Sequence, residues 1–258
     1  MEFSFGIITG GIYNHSESLC EDQIFKRIHK IIESIKSQSI SKFEIIIVGG
    51  DNKFTNEPSV RHFNFDENHK NRWITKKKNI VAREALYENI VFMHDYVKLD
   101  DYWYKGMLEY GNDFDVLMTR IRDHRGNRYR DWILLWSTIP HFEELRKNNI
   151  QNDFLLPYDI SGISKYQYIS GTYWIAKKNL MEKFPLNEDL CWGQGEDIEW
   201  SNRVKEFFNF SMNQKSSVTL LKNHEVLGEG YIREEDMEIL KKVIIKNNSV
   251  DGHQIEKQ

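Results

Sequence analysis

Cysteine and proline are scarce, with two and four among 258 residues. Cys20 and Cys191 stand far apart without metal-ligand spacing, which excludes a disulfide scaffold and suggests a reducing compartment. Basic charge is not in excess either: the formal net charge is -4, so no global field favours nucleic acid or an anionic membrane. No run approaches the roughly 18 apolar residues of a membrane helix. The opening MEFSFGIITGG has no basic region and no long apolar stretch, so a secretory signal is not expected. A cytoplasmic protein without a transmembrane segment is therefore expected, and peripheral association with the inner face of a membrane stays open. Neither thiol nor any serine sits in a nucleophile elbow. No linker, repeat or low-complexity segment divides the chain.

What the chain has in plenty is aromatic residues, with 12 Tyr and 7 Trp. They could line a site for a flat or amphipathic ligand, or simply pack. The apolar pattern alternates strand and helix. FSFGIIT reads as a buried strand ending in Gly10-Gly11. IFKRIHKIIESIKSQ follows as a helix with Ile24, Ile28, Ile31, Ile32 and Ile35 on one face. FEIIIVGGDN is a second strand, again ending in Gly-Gly and then Asp51. Such a strand, helix, strand unit is a right-handed crossover of a parallel sheet, whose ligand sites lie beyond the carboxyl ends of the strands.

The basic helix TKKKNIVAREALYEN leads into a third strand, IVFMHDY, ending in His94-Asp95. Further on, LDDYWYKGMLEYG reads as a helix capped by Asp100 or Asp101, and DVLMTRI as a strand. Residues 120–166 show no clear period. YQYISGTYWIAKK is expected to be a strand, KKNLMEKFP and EDIEWSNRVKEFF helices, SSVTLLKNH a final strand, and EEDMEILKKVIIKNNS a helical tail.

Three places at the carboxyl edge gather acids: Asp51, Asp95 and the GQGED segment. Their order, together with FGIITGG, KKKNIVAREA, ISGTYWIAKK and WGQGEDIEW, resembles the glycosyltransferases of the GT-A fold, most closely the inverting family 2 type. The resemblance implies a Rossmann-like α/β fold with a mixed, mostly parallel sheet flanked by helices. It implies one domain over 1–258, with a nucleotide-binding half at 1–110, an acceptor half at 111–230 and a C-terminal helix and tail at 231–258.

It also implies roles. Thr9, Gly10 and Gly11 would pass beside the nucleotide, Asp51 would meet base or ribose, and Lys78 and Arg83 would approach the diphosphate. His94 and Asp95 stand where the family carries Asp-x-Asp. The triplet His94-Asp95-Tyr96 departs from that pattern and leaves Asp95 as the carboxylate for manganese or magnesium, with His224 as a further ligand. Asp197 matches the general base that takes the proton from the acceptor hydroxyl, with Glu196 beside it. The same two acids could instead cap the following helix. Trp192 would offer an indole platform for a sugar face, and Trp200 reads as core. Gly171 would allow close approach of sugar or acceptor, or a tight packing position. Arg125 and Arg128, in RIRDHRGNRYRDW, could pair with an anionic acceptor or belong to a solvated loop.

The WGxGED flavour is similar to galactosyl- and N-acetylgalactosaminyl-transferases that use UDP-sugars. The expected activity is transfer of a hexose or N-acetylhexosamine from a nucleotide donor to a glycan or glycolipid hydroxyl, with inversion as the family 2 resemblance implies, although some of the WGxGED relatives retain configuration. Two alternatives remain: a glycan-binding or scaffold protein on a decayed GT-A fold, and a sugar-nucleotide pyrophosphorylase. The latter needs a basic phosphate loop that TGGIYNHSES lacks.

Overall fold

The computed structural model describes residues 1–10, 20–50, 58–135, 153–156, 158 and 167–222. The strands are β1 (Phe3–Ile8), β2 (Phe43–Val48), β3 (Val60–Phe63), β4 (Asn89–His94), β5 (Val97–Leu99), β6 (Val116–Arg122), β7 (Ile133–Leu135), β8 (Asp153–Leu155), β9 (Gln167–Tyr168), β10 (Tyr173–Lys177) and β11 (Phe210–Leu220). The helices are α1 (Glu21–Lys36), α2 (Ile74–Glu84), α3 (Trp103–Tyr110), α4 (Lys178–Lys183) and α5 (Glu196–Val204).

Eight strands form one sheet in the order β3-β2-β1-β4-β10-β6-β11-β5, and β8-β7-β9 form a small second sheet. β1 lies parallel to β2 and β4, β10 is antiparallel to β4, and β6 and β11 are parallel to each other. Asp95 and Tyr96 alone join central β4 to edge strand β5, so the sheet must curl to bring that edge back towards its middle.

β1, β4 and β10 are buried along their whole length, and their side chains alternate between two cores. Phe3, Phe5, Ile7, Val91, Met93, Tyr173 and Ile175 face α1 and α3, meeting Ile28, Ile31, Ile35, Trp103 and Met107. Ile8, Ile90, Phe92, Trp174 and Ala176 face the other helices, meeting Ile74, Val81, Leu180, Trp200 and Val204. Gly6 also lies on this second face, where an added Cβ would come within 2.2 Å of Val81 Cγ1. The missing side chain lets α2 press on β1.

Four expectations change. β3 and β5 are strands that the sequence pattern did not reveal, being short and irregularly apolar. The expected strand over 166–178 is broken into β9 and β10 by a turn at Ile169–Thr172, which frees the edge beside His94. β11 begins earlier than expected, at Phe210, because its polar first half pairs with β6 from Val116 to Thr119 before an irregularity in register between Asn213 and Ser217. Neither Asp100 nor Asp101 caps α3, whose N-cap is Tyr102. Asp100 instead accepts from Thr219 Oγ1 at 2.7 Å and from Ser217 Oγ, fastening β5 to β11. Among the described residues no helix is long and apolar enough to cross a membrane. The expected tail helix lies outside them.

Gly6→Ala is expected to lower stability by about 1–3 kcal/mol through overpacking, measured by urea unfolding. Adding Val81→Ala should recover part of that loss, because the second change vacates the clashing space; strictly additive losses would contradict this contact.

Candidate active site

The carboxyl ends of β1, β2 and β4 meet the turn before β10 and the first turns of α2 and α5. Thr9 and Gly10 leave β1, and Gly49 and Gly50 leave β2 directly beside them. Gly49 has φ +104°, and a Cβ there would fall 2.0 Å from Thr9 O, so only glycine lets the two loops touch. Asp51 and Gly11 lie outside the described residues.

Two buried cation systems hold this edge. In the first, Arg27 Nη2 donates to Asp95 Oδ1 at 2.8 Å, Arg27 Nε donates to Asp95 O at 2.8 Å, and Thr9 Oγ1 donates to Asp95 Oδ2 at 2.8 Å. Lys77 Nζ donates to Thr9 O at 2.8 Å and forms an ion pair with Glu67. Burial pushes the Asp95 carboxyl up, against the pull of Arg27 and Thr9, and pushes the Lys77 ammonium down.

In the second, Lys78 is 1% exposed and its Nζ donates to Gly171 O at 2.8 Å. Gly171 N donates to Asp197 Oδ2 at 3.2 Å, and Ile198 N donates to Asp197 Oδ1 at 2.9 Å. A Cβ on Gly171 would meet Asp197 Oδ2 at 3.1 Å and Glu196 Oε1 at 3.2 Å. A side chain here would thus press on the two carboxylates. His94 is buried beside the same turn, taking its backbone N–H to Thr172 O at 3.2 Å. Burial, with the Lys78 charge adding to it, holds its imidazole well below the ordinary histidine range, so the ring is neutral.

Glu196 and Asp197 open α5, where the positive helix end favours anions. They differ in access. Glu196 is 5% exposed and its acidity is weakened by burial and by the neighbouring Asp197, with Lys78 opposing; Asp197 is half-buried and reachable from solvent. The N-cap of this helix is Gly195 in a left-handed conformation, with no side-chain cap hydrogen bond, and it is Asp197 in the first turn that satisfies one of the helix's free N–H groups, that of Ile198. Glu199, third of the cluster, pairs with Arg203 at 2.8 Å on the helix surface. Trp192 is exposed on the rim, with the Arg72 guanidinium 5.2 Å from its ring centroid. Trp200 is fully buried and donates from Nε1 to Phe184 O, as a core residue.

Other expected site residues are not brought together here. Arg83 sits in the last turn of α2, past Lys77 and Lys78 and away from the carboxyl edge, pairing with Glu84 and lining a groove with Met181, Pro185 and Leu186. A diphosphate contact does not fit that place. Arg128 is consumed internally: its Nε donates to fully buried Asp131 at 2.7 Å and its guanidinium stacks 3.9 Å from the Tyr158 ring centroid. Arg125 stands exposed at a turn held by Asp123, whose Oδ1 accepts from Arg125 N at 2.9 Å. His224 lies outside the described residues.

A divalent ion on Asp95 needs a carboxylate with open lone pairs facing further hard donors. Here the Asp95 oxygens face a hydroxyl and a guanidinium, with the Lys77 ammonium close enough to act on them. Among the described residues no three His, Cys, Asp or Glu side chains gather as a metal site. Manganese or magnesium therefore does not fit this residue set as it stands.

Arg27, Lys77 and Glu67 escaped the reading of the sequence, yet two of them left a signal. Arg27 falls on the stripe of Ile24, Ile28 and Ile31, and Lys77 and Lys78 fall on the stripe of Ile74, Val81 and Ala82. A cation inside an apolar stripe must be buried and therefore paired.

Removing one partner of a buried pair costs about 3–5 kcal/mol. Arg27→Ala is expected to destabilise the chain by that amount in urea unfolding at neutral pH; a loss below about 1 kcal/mol would mean that Asp95 is not held by Arg27. His94 adds a pH dependence. Its folded pKa is depressed, so its contribution is full above the unfolded value of about 6.5 and is lost as pH falls. Thermal unfolding should show an acid-side decline that flattens in His94→Gln.

Neither a protein-family model nor a curated protein sequence matches the chain. Solved structures do. The S. aureus glycosyltransferase TarS, as its 1–349 fragment, superposes with TM-score 0.55 at 16% identity over 85% of this chain and 60% of that one. The same fragment in complex with UDP-GlcNAc gives 0.53 at 17% identity over 95% and 66%, and in complex with UDP 0.51 at 16% over 85% and 61%. The chain thus spans less than two thirds of these TarS chains. At such identity the likeness shows the fold: a mixed α/β architecture with a curled, mostly parallel sheet, of the kind these glycosyltransferases have.

Proposed function

We propose that the chain transfers a sugar from a nucleotide donor, UDP-linked, to a hydroxyl of a glycan or glycolipid, with inversion and with Asp197 as general base. The observation that carries this reading is the half-buried Asp197 carboxylate, held by two backbone N–H groups at a sheet edge built from paired glycine loops. Complexes of TarS with UDP and UDP-GlcNAc support the choice of donor class.

The donor would lie across the Thr9-Gly10 and Gly49-Gly50 loops, where backbone approaches without side chains. Each Asp197 oxygen keeps a lone pair after accepting its backbone N–H, so the carboxylate can take the acceptor's hydroxyl proton. The freed oxygen then attacks the anomeric carbon as the bond to the diphosphate breaks on the opposite face. Lys77 and Arg27 stand behind Thr9 on the side where the anion would depart, each paired with a carboxylate, Glu67 and Asp95, that a bound diphosphate would compete with. Trp192 on the rim suits an acceptor sugar face.

A second reading, a glycan-binding protein on the same fold, draws on the Asp95 carboxylate being engaged by Arg27. The two differ in turnover.

Thermal shift with UDP, GDP, CMP and dTDP, each in EDTA and in manganese, tests the donor. UDP at 100 times its Kd should stabilise by about 2.7 kcal/mol, and it should do so in EDTA; a shift only with manganese would mean that Asp95 leaves Arg27 for the ion. Asp197→Asn should keep the UDP shift while UDP release from UDP-GlcNAc, with alkyl glycosides as acceptors, falls roughly 10²–10⁴-fold. Undiminished turnover in that variant would sink the base assignment.

A further inference from the structure

Lys78 is an ammonium placed where ammonium groups are costly. It is 1% exposed, and burial lowers its proton affinity while Glu196 and Asp197 raise it. Yet among the described residues it makes no ion pair within 4 Å; its hydrogen bond goes to a backbone carbonyl, that of Gly171. A lysine serving only the fold would close directly on a carboxylate, since pairing offsets desolvation. A lysine serving the donor diphosphate would reach the loops after β1 and β2. That is what Lys77 does, with Thr9 O at 2.8 Å. The adjacent Lys78 turns the other way, towards the turn before β10.

We infer that Lys78 is a positioning residue for the base: it clamps the Gly171 carbonyl, while the N–H of the same residue aims Asp197, so that the ammonium stands beside the acid pair without occupying their oxygens. This rests on Asp197 as the base in the proposed transfer. The geometry has a single hinge. The peptide groups of Gly171 carry Lys78 on the carbonyl side at 2.8 Å and Asp197 on the N–H side at 3.2 Å. The residue cannot carry a side chain without meeting both carboxylates. The ends of the turn are fixed as well, by Ile169 N donating to Ser201 Oγ at 3.0 Å and by His94 N donating to Thr172 O at 3.2 Å. Small movements of the turn therefore reach Asp197 directly.

The indirect link has a chemical use. An ammonium bonded to Asp197 would fill a lone pair needed for the acceptor proton and would make the carboxylate a poorer base. Acting through a peptide and through space, Lys78 opposes the mutual repulsion of Glu196 and Asp197 and leaves both sets of oxygens open. Among the described residues the charged and titratable groups acting on the pair are Lys78 from α2 and the two acids themselves from α5. His94 from β4 is neutral, and the turn before β10 supplies only Ser170, Thr172 and backbone.

Two measurements test this. Carboxyl-carbon NMR of the intact chain follows Glu196 and Asp197 through pH; Lys78→Met is expected to raise the Glu196 midpoint by about one unit or more, because an opposite charge is lost, whereas an unchanged midpoint overturns the inference. In UDP release from UDP-GlcNAc, Lys78→Met should leave the UDP thermal shift intact, cut the rate at least about tenfold and move the acid limb of the pH profile upward; Lys78→Arg should restore part of the rate. Loss of the UDP shift with an unmoved limb would make Lys78 a donor contact instead. Should Lys78→Met not fold, Gly171→Ala decides: displacing Asp197 from the other side must reproduce the rate loss with UDP binding kept, and a normal rate refutes the clamp. Full activity of Asp197→Asn would defeat the transferase mechanism while leaving the NMR result to stand on its own.

Discussion

Buried cations govern this molecule more than any apolar contact does. Arg27, Lys77 and Lys78 sit on the inward faces of α1 and α2, at 7%, 0% and 1% exposure, where each forgoes hydration. That cost is offset only if carboxylates and carbonyls converge on them. The groups that converge are the ends of β1 and β4, the turn before β10 and the head of α5. The same pairing that makes the charges tolerable thus assembles the edge: Asp95 is drawn to Arg27, Thr9 to Lys77 and Gly171 to Lys78.

This arrangement divides labour between neighbours in sequence. Lys77 and Lys78 differ by one position on a helix, about 100° of rotation, and so face two different loops. One stands under the glycine-paired loops that suit a nucleotide; the other stands under the turn that holds the acids. Glu196 and Asp197 are likewise adjacent yet unequal, because the first turn of α5 buries one and leaves the other open. A reaction needing one accessible carboxylate is served by that inequality.

The same principle explains why some residues with the right chemistry take no part. Arg83 is basic and on the same helix, but the helix carries it to the opposite edge of the sheet. Arg128 belongs to a loop at the carboxyl edge, but buried Asp131 needs a cation and takes it. Asp100 comes only five positions after Asp95, but it follows edge strand β5, where hydroxyls on β11 claim its oxygens. Charge near a site is common; charge left available there is what folding decides.

The alternation of continuous apolar runs with amphipathic stretches was enough to reveal β1, α1, β2, α2, β4, β6 and α5 and their α/β class, since burial on both faces writes itself into composition. The same pattern placed Gly10 and Asp95 after buried strands, while Thr9, Gly171, Glu196 and Asp197 were marked by the resemblance to GT-A glycosyltransferases. β3, β5 and β7 were not legible: edge and three-residue strands are defined by partners distant in the chain. Nor was the fate of Asp95, which looked like a ligand for a cation and is held by Arg27. By itself the sequence determined which segments must be buried and which acids must lie at their ends, as these follow from local periodicity. Only the tertiary structure decided which group meets which buried charge, because the partners lie far apart in the chain, as Asp95 does from Arg27 and Gly171 from Lys78.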